Sequence, residues 1–168
     1  MKLVRVRPQL EPAVRELASE YEASGLPRFS DILDDYPAAV ARLAANERGE
    51  ADPQAGVPFT FFLAERDDGV MVGTLRLRHH LIDSLWQDGG HVGYDVRPSM
   101  WNRGYATEML ALAFEEARRI GLEWVLITVS PNNVASIRVI EKNGAKRIGV
   151  ADQTGFLQFR FDLRGESA

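Results

Sequence analysis

The stretch from Val96 to Thr107 constrains the fold of this chain more than any other part of the sequence. It predicts a β-strand that ends at Pro98, a short loop with Arg103 and Gly104, and the first turn of a helix. The helix is indicated by apolar residues at helical spacing, namely Ala106, Met109, Leu110, Ala113, Phe114, Ala117 and Ile120. A strand, loop and helix start in this order direct several backbone N–H groups toward one place, and the helix dipole adds positive potential there.

Such a place binds phosphate well. Arg103 adds a fixed positive charge, and Gly104 lets a ligand approach the backbone closely. A diphosphate is therefore a natural occupant. An ordinary strand-to-helix connection with a glycine at its turn would give the same local pattern, so that alternative stays open on these residues alone.

The rest of the chain predicts antiparallel strands first, then strand, helix, strand, helix and strand. The predicted strands are 2–7, 59–65, 70–78, 91–97, 124–129, 147–150 and 156–163, and the predicted helices are 11–23, 37–46 and those after Gly104 and Asn133. This order implies an α/β fold with a mixed sheet and helices on both faces. A length of 168 residues, without repeats or a linker, suits one domain.

Composition excludes several kinds of protein. The chain has no cysteine, which removes disulfides, thiolate metal sites and a cysteine nucleophile, and is compatible with a reducing cytosol. Neither a signal peptide nor an apolar run of membrane-spanning length is present, so we expect a cytoplasmic protein. A net charge of -4 argues against general nucleic-acid binding. Only three of the 20 basic residues are lysine, a bias that suggests a GC-rich bacterial genome.

The loop resembles the acetyl-CoA loop of the GCN5-related N-acetyltransferase (GNAT) superfamily, whose pattern is Gln/Arg-x-x-Gly-x-Gly/Ala. The segment matches at Gly104 and Ala106. It departs at Trp101, where the family usually has glutamine or arginine.

A second segment, Asn133–Ala145, is similar to the family's Asn-x-x-Ala/Ser…Tyr-Glu-Lys-x-Gly-Phe helix. It departs at Ile140, where tyrosine is common, and at Ala145, where phenylalanine is common. The resemblance covers residues 58 to 163 well and the N-terminal third only by the order of elements. It implies one N-acetyltransferase domain over 1–168, with a helical acceptor-side part at 8–57 and an acetyl-CoA-binding core at 58–163.

The resemblance also implies a mostly antiparallel central sheet in which strands 91–97 and 124–129 splay apart and admit the pantetheine arm of acetyl-CoA. The cofactor-binding residues that it implies are Asp95, Val96, Arg97, Arg103, Gly104, Tyr105, Ala106, Thr107, Asn133 and Ser136. Amides from Arg103 to Thr107 would hold the diphosphate, and a backbone N–H of Asp95 or Val96 would stabilise the oxyanion. Asn133 would bind the pantetheine amides, although it could equally serve only as a helix cap.

His91 stands where the family often has a glutamate that deprotonates the amine. Histidine titrates near neutrality and could do the same work, whereas the alternative is a structural histidine satisfied by its neighbours. If the preceding hairpin loop is symmetric, His79 lies opposite His91. A metal site from His79, His80 and Asp83 is disfavoured, because adjacent residues of a strand face opposite ways.

The family's usual general acid is the tyrosine that is missing at Ile140, so the acid is left unassigned and Tyr94 is expected to pack. The function implied is transfer of acetyl from acetyl-CoA to a primary amine of a small molecule or peptide by direct attack. An acyl-CoA-binding sensor with little turnover is the main alternative, and the family's frequent dimers leave a homodimer open. A plain nucleotide-binding domain would want glycine motifs that do not appear.

Overall fold

The structure, a computed structural model, describes residues 1–26, 29–51 and 56–164. Its strands are β1 (Lys2–Arg5), β2 (Phe59–Glu65), β3 (Met71–Arg78), β4 (Val92–Val96), β5 (Trp124–Val129), β6 (Lys146–Val150) and β7 (Leu157–Asp162). Its helices are α1 (Glu11–Ala23), α2 (Ser30–Leu33), α3 (Tyr36–Glu47), α4 (Asp83–Gln87), α5 (Tyr105–Arg119) and α6 (Val134–Lys142). Single 3₁₀ turns lie at Pro8–Leu10 and Pro98–Met100.

The strands form two antiparallel sheets that meet at β4 and β5. One is four-stranded in the order β1-β2-β3-β4, and the other is three-stranded in the order β5-β7-β6. Just before β4, the backbone N–H of His91 donates to the carbonyl of Leu126 at 2.8 Å. No hydrogen-bonded ladder joins β4 to β5 among the described residues, so the sheet is split there. The predicted mixed α/β fold, with strands 91–97 and 124–129 splayed apart, is confirmed.

Two hydrophobic clusters cover the two faces of the strands. The larger packs apolar residues of α5 and α6, including Leu110, Phe114 and Ile140, against strand residues such as Leu75 and Ile127. The smaller packs residues of α1 and α3, including Leu17, Tyr21 and Tyr36, against Leu63 and Met71. Each fully buried leucine contributes about 1.5–3 kcal/mol, so both faces stabilise the sheet substantially.

The connection between β3 and β4 is asymmetric, which changes one prediction. It contains the short helix α4, which the sequence did not reveal. Leu77 is paired with Val92, and the N–H of Arg78 donates to the carbonyl of His91 at 2.7 Å. Arg78 therefore lies opposite His91, and the prediction for His79 was wrong. His79 instead donates its backbone N–H to Pro58 at 2.9 Å, and its Nε2 lies 2.9 Å from Thr60 Oγ1.

Candidate active site

A cavity of about 700 Å³ opens at the mouth of the split between β4 and β5. Its lining brings together nearly all of the predicted cofactor residues, from the end of β4, the following loop and the start of α6. They are Asp95, Val96, Arg103, Gly104, Tyr105, Ala106, Thr107, Asn133 and Ser136. The end of α1 also reaches this cavity through Tyr21 and Leu26.

The loop before α5 has the backbone of an anion site. Gly104 adopts the left-handed conformation with φ +84°, and Asn102 has φ +59°. The N–H groups of Thr107 and Glu108 both donate to the Gly104 carbonyl, at 3.0 and 3.2 Å, so the amides before Thr107 precede the helical ladder. A Cβ added to Gly104 would meet no atom within 4 Å, so the space beside the loop is open. These features fit a diphosphate group.

Positive charge dominates the lining. Among the lining residues that the structure describes, Arg103, Arg138 and Lys142 are basic and Asp95 is the single acid. Arg138 and Lys142 were missed by the sequence reasoning. The available signal was their spacing of four residues in the helix after Asn133, which places both on one helix face. Together the three cations suit a ligand that carries several phosphate charges.

Asn133 is the N-cap of α6. Its Oδ1 accepts the backbone N–H of Ser136 at 3.1 Å, so the capping alternative is correct as far as it goes. Asn133 also lines the cavity, and its amide nitrogen remains a donor that a ligand could use. Capping and ligand binding are therefore compatible in this residue.

The backbone of β4 presents alternate residues to the gap. Arg97 donates its N–H to Val72 at 2.8 Å and Arg78 donates to His91, which fixes the pairs that are hydrogen-bonded across β3 and β4. By alternation, the N–H of Asp95 points to β3 and the N–H of Val96 points away from it. In agreement, the Val96 carbonyl accepts Nε1–H of Trp101 at 2.6 Å. Of the two oxyanion candidates, Val96 is the one whose amide faces the gap.

Arg97 departs from its predicted role, because its side chain is turned toward α1. Only 9% of that side chain is exposed; Nε donates to Glu20 at 2.6 Å and Nη2 donates to Glu16 at 3.1 Å. Burial alone would lower the pKa of Arg97, but the two carboxylates raise it above its usual value. Glu20 also accepts the N–H of Ser99 at 2.6 Å. The Arg97–Glu20 pair and the Ser99–Glu20 hydrogen bond thus hold α1 against the start of the loop before α5. Arg97 is absent from the cavity lining.

His91 lies at the closed end of the split, outside the cavity lining. The residue is 3% exposed, and its Nδ1 accepts the backbone N–H of Leu126 at 2.9 Å. Burial lowers its pKa to about 4, and the charges of Arg78 and His80 act in the same direction. A neutral imidazole that accepts at Nδ1 carries its proton on Nε2 and has no lone pair left for an amine proton. This geometry favours the structural alternative over the catalytic one.

Tyr94 does more than pack. Its ring contacts the larger hydrophobic cluster, as expected, while its hydroxyl reaches Ser136 of α6 at 2.7 Å. Both residues line the cavity, so this hydrogen bond joins β4 to α6 beside the open gap. Burial raises the pKa of Tyr94, and the charge of Asp95 adds to this, so the phenol holds its proton at neutral pH.

A sheet split beside a loop with the backbone of an anion site is an arrangement that suits a long, phosphate-bearing ligand. The chain belongs to the GNAT acetyltransferase family, because the family's acetyltransferase domain model matches residues 3–146. Family membership confirms the predicted fold and identifies acetyl-CoA as the co-substrate.

Solved structures share this fold at low sequence identity. RimJ of Mycobacterium smegmatis, in complex with CoA-disulfide, has a TM-score of 0.70 and 20% identity, covering 95% of this chain and 80% of its own. The yncA protein of Salmonella typhimurium, with acetyl-CoA, has a TM-score of 0.63 and 17% identity, covering 99% and 96%. The aminoglycoside acetyltransferase AAC(6')-Ib, with coenzyme A and kanamycin, has a TM-score of 0.66 and 16% identity, covering 96% and 94%.

No curated protein sequence shows significant similarity to the chain. In the ranges that the structure describes, no helix combines the length and the apolarity that crossing a bilayer requires. The same ranges contain no group of three or more His, Asp or Glu residues arranged to hold a metal ion.

Proposed function

We propose that the protein transfers the acetyl group of acetyl-CoA to a primary amine of a small molecule or peptide, by direct attack of the amine on the thioester. The observation that carries this proposal is the cavity at the mouth of the split sheet. It joins a loop with the backbone of an anion site, three cations and the edge of β4 that faces the gap. With no cysteine in the chain, a cysteine acyl-enzyme is excluded.

Each part of the cavity has a role in this proposal. The amides from Arg103 to Ala106 and the nearby cations hold the phosphates, because these N–H groups lie outside the helical ladder and can donate to an anion. The Thr107 N–H already donates to the Gly104 carbonyl at 3.0 Å, so Thr107 is left out of this set. The pantetheine arm lies along the gap edge of β4 and approaches Asn133. The N–H of Val96 faces the same gap and stabilises the oxyanion that forms as the amine attacks.

None of these residues is assigned as the base that deprotonates the attacking amine. We propose that His91 holds β4 and β5 together at the closed end of the gap, since its burial and its bond from Leu126 both oppose protonation. The end of α1 reaches the cavity through Tyr21 and Leu26, so the amine would enter on this side. Two solved structures of similar fold suggest acceptor classes to try. The AAC(6')-Ib complex contains kanamycin, an aminoglycoside, and the enzyme of Brucella melitensis is described as a ribosomal-protein-alanine N-acetyltransferase, which suggests peptide amines.

The experiment is a screen for CoA release from acetyl-CoA with kanamycin, short peptides with free N-termini and polyamines. The proposal expects release that depends on one amine class and an acetylated product of matching amount by mass spectrometry. Tight acetyl-CoA binding without release for any amine would favour the sensor alternative instead.

A further inference from the structure

The phenol of Tyr94 reaches the cavity from β4, beside the turn of α6 that precedes Ile140. Ile140 occupies the position where the family commonly has a tyrosine. Ile140 is fully buried in the larger hydrophobic cluster and has no proton to give. Side chains in a helix lean toward its N-terminus, so a tyrosine at position 140 would carry its hydroxyl over the preceding turn. That turn contains Ser136, and the Tyr94 hydroxyl is hydrogen-bonded to Ser136 at 2.7 Å.

We propose that Tyr94 is the general acid that protonates the departing CoA thiolate, with Ser136 as the residue that positions its hydroxyl. This inference rests on the proposed function and adds the group that it lacks. The phenol lines the cavity next to Val96, whose N–H faces the same gap, so the oxyanion donor and the acid lie two residues apart on one strand edge.

The step balances without any further reactant. The amine nitrogen forms a bond to the carbonyl carbon, and the carbonyl oxygen takes the displaced electron pair. When the intermediate collapses, the C–S bond breaks and its pair goes to sulfur, which takes the proton of Tyr94. The phenolate regains a proton through the hydroxyl of half-buried Ser136, and the proton that the attacking amine loses to solvent makes up the balance.

Tyr94→Phe tests this role, because it keeps the packed ring and removes only the hydroxyl. We expect kcat for the best amine of the screen to fall about 100-fold or more, within the usual range for acid–base catalysis. The Kd of acetyl-CoA should stay unchanged. Ser136→Ala, which leaves the phenol but removes its partner, should cause a smaller fall in kcat.

Tyr36→Phe is the matched control. It deletes a buried phenol that donates to the Arg7 carbonyl at 3.1 Å in the smaller cluster, so kcat should not change. A second readout uses the acetyl ester of the selenol analogue of coenzyme A. A selenol is a stronger acid than a thiol and departs without protonation, so the defect of Tyr94→Phe should shrink with this donor.

The outcomes separate the two proposals. Full kcat in Tyr94→Phe, or an equal defect with the thioester and the selenoester, overturns the acid role and leaves the acetyltransferase function intact. Absence of turnover in the wild type with every amine overturns the function, and the acid role with it.

Discussion

His91 and Leu126 hold each other by two hydrogen bonds, one of them through the imidazole ring. The backbone N–H of His91 donates to the Leu126 carbonyl at 2.8 Å, and the Leu126 N–H donates back to Nδ1 of His91 at 2.9 Å. A side chain thus takes the place that a peptide carbonyl would have in a ladder. The pair lies where β4 begins, so it fixes the point from which β4 and β5 diverge.

His91→Ala should therefore cost stability. The change leaves the buried N–H of Leu126 without its acceptor, which costs about 1–3 kcal/mol of unfolding free energy. Urea unfolding of the wild type and His91→Ala at pH 7 measures this loss of unfolding free energy. If His91 were the base instead, the variant would keep its stability and lose the acidic limb of its pH–rate profile.

The stability of the wild type should depend on pH through the same residue. Its pKa is lowered from 6.5 to about 4 in the folded protein, so the folded state disfavours the charged form. The stability that neutral His91 contributes to the folded protein is fully present above pH 6.5. It is lost as the pH falls toward 4, by at most about 3 kcal/mol. Unfolding of the wild type and of His91→Gln at pH 7 and pH 5 checks this. Equal losses for both proteins would contradict it.

Glu20 and Glu16 offer a matched pair on α1, since both meet Arg97. Glu20→Gln removes the partner of a largely buried guanidinium and should lower the free energy of unfolding by about 3 kcal/mol. The side chain of Glu16 is 69% exposed, so Glu16→Gln should change the free energy of unfolding by less than about 0.5 kcal/mol. Thermal unfolding compares the two variants. Equal losses of stability in the two variants would contradict the role of Glu20 as the main partner of Arg97.

Trp101 should report the cofactor. Its ring is about half exposed, lines the cavity and donates to the Val96 carbonyl at the edge where the pantetheine arm is proposed to lie. Addition of acetyl-CoA should change its fluorescence. Trp101→Phe should abolish that change, because Trp86 and Trp124 contact each other outside this cavity. A fluorescence change that persists in the variant would place the ligand elsewhere.

Local patterns in the sequence predicted the parts of the site that local physics decides. Gly104 before an amphipathic helix and Asn133 before another give the anion loop and the N-cap, because backbone conformation and capping depend on neighbours along the chain. The two carboxylate partners of Arg97 lie 77 and 81 residues away and depend on how α1 packs, which no local pattern reveals.

The same limit applies to His91. Its role depends on Leu126, which lies 35 residues further on. Its position opposite Arg78 depends on α4, a five-residue helix too short for hydrophobic periodicity to be recognised. Tyr94 could be placed in the core from its strand, but not beside Ser136, because that contact joins two separate elements across the gap.

Calorimetric titration of acetyl-CoA into the wild type and Arg103→Glu, with ATP and NAD as competing ligands, tests whether the loop before α5 binds the cofactor. Arg147→Glu, which makes the same charge change on exposed β6 outside the cavity, serves as the control. We expect tight binding of acetyl-CoA to the wild type and to Arg147→Glu, and loss of binding in Arg103→Glu. Absence of binding to the wild type, or equal binding to all three proteins, would contradict an acetyl-CoA site at this loop.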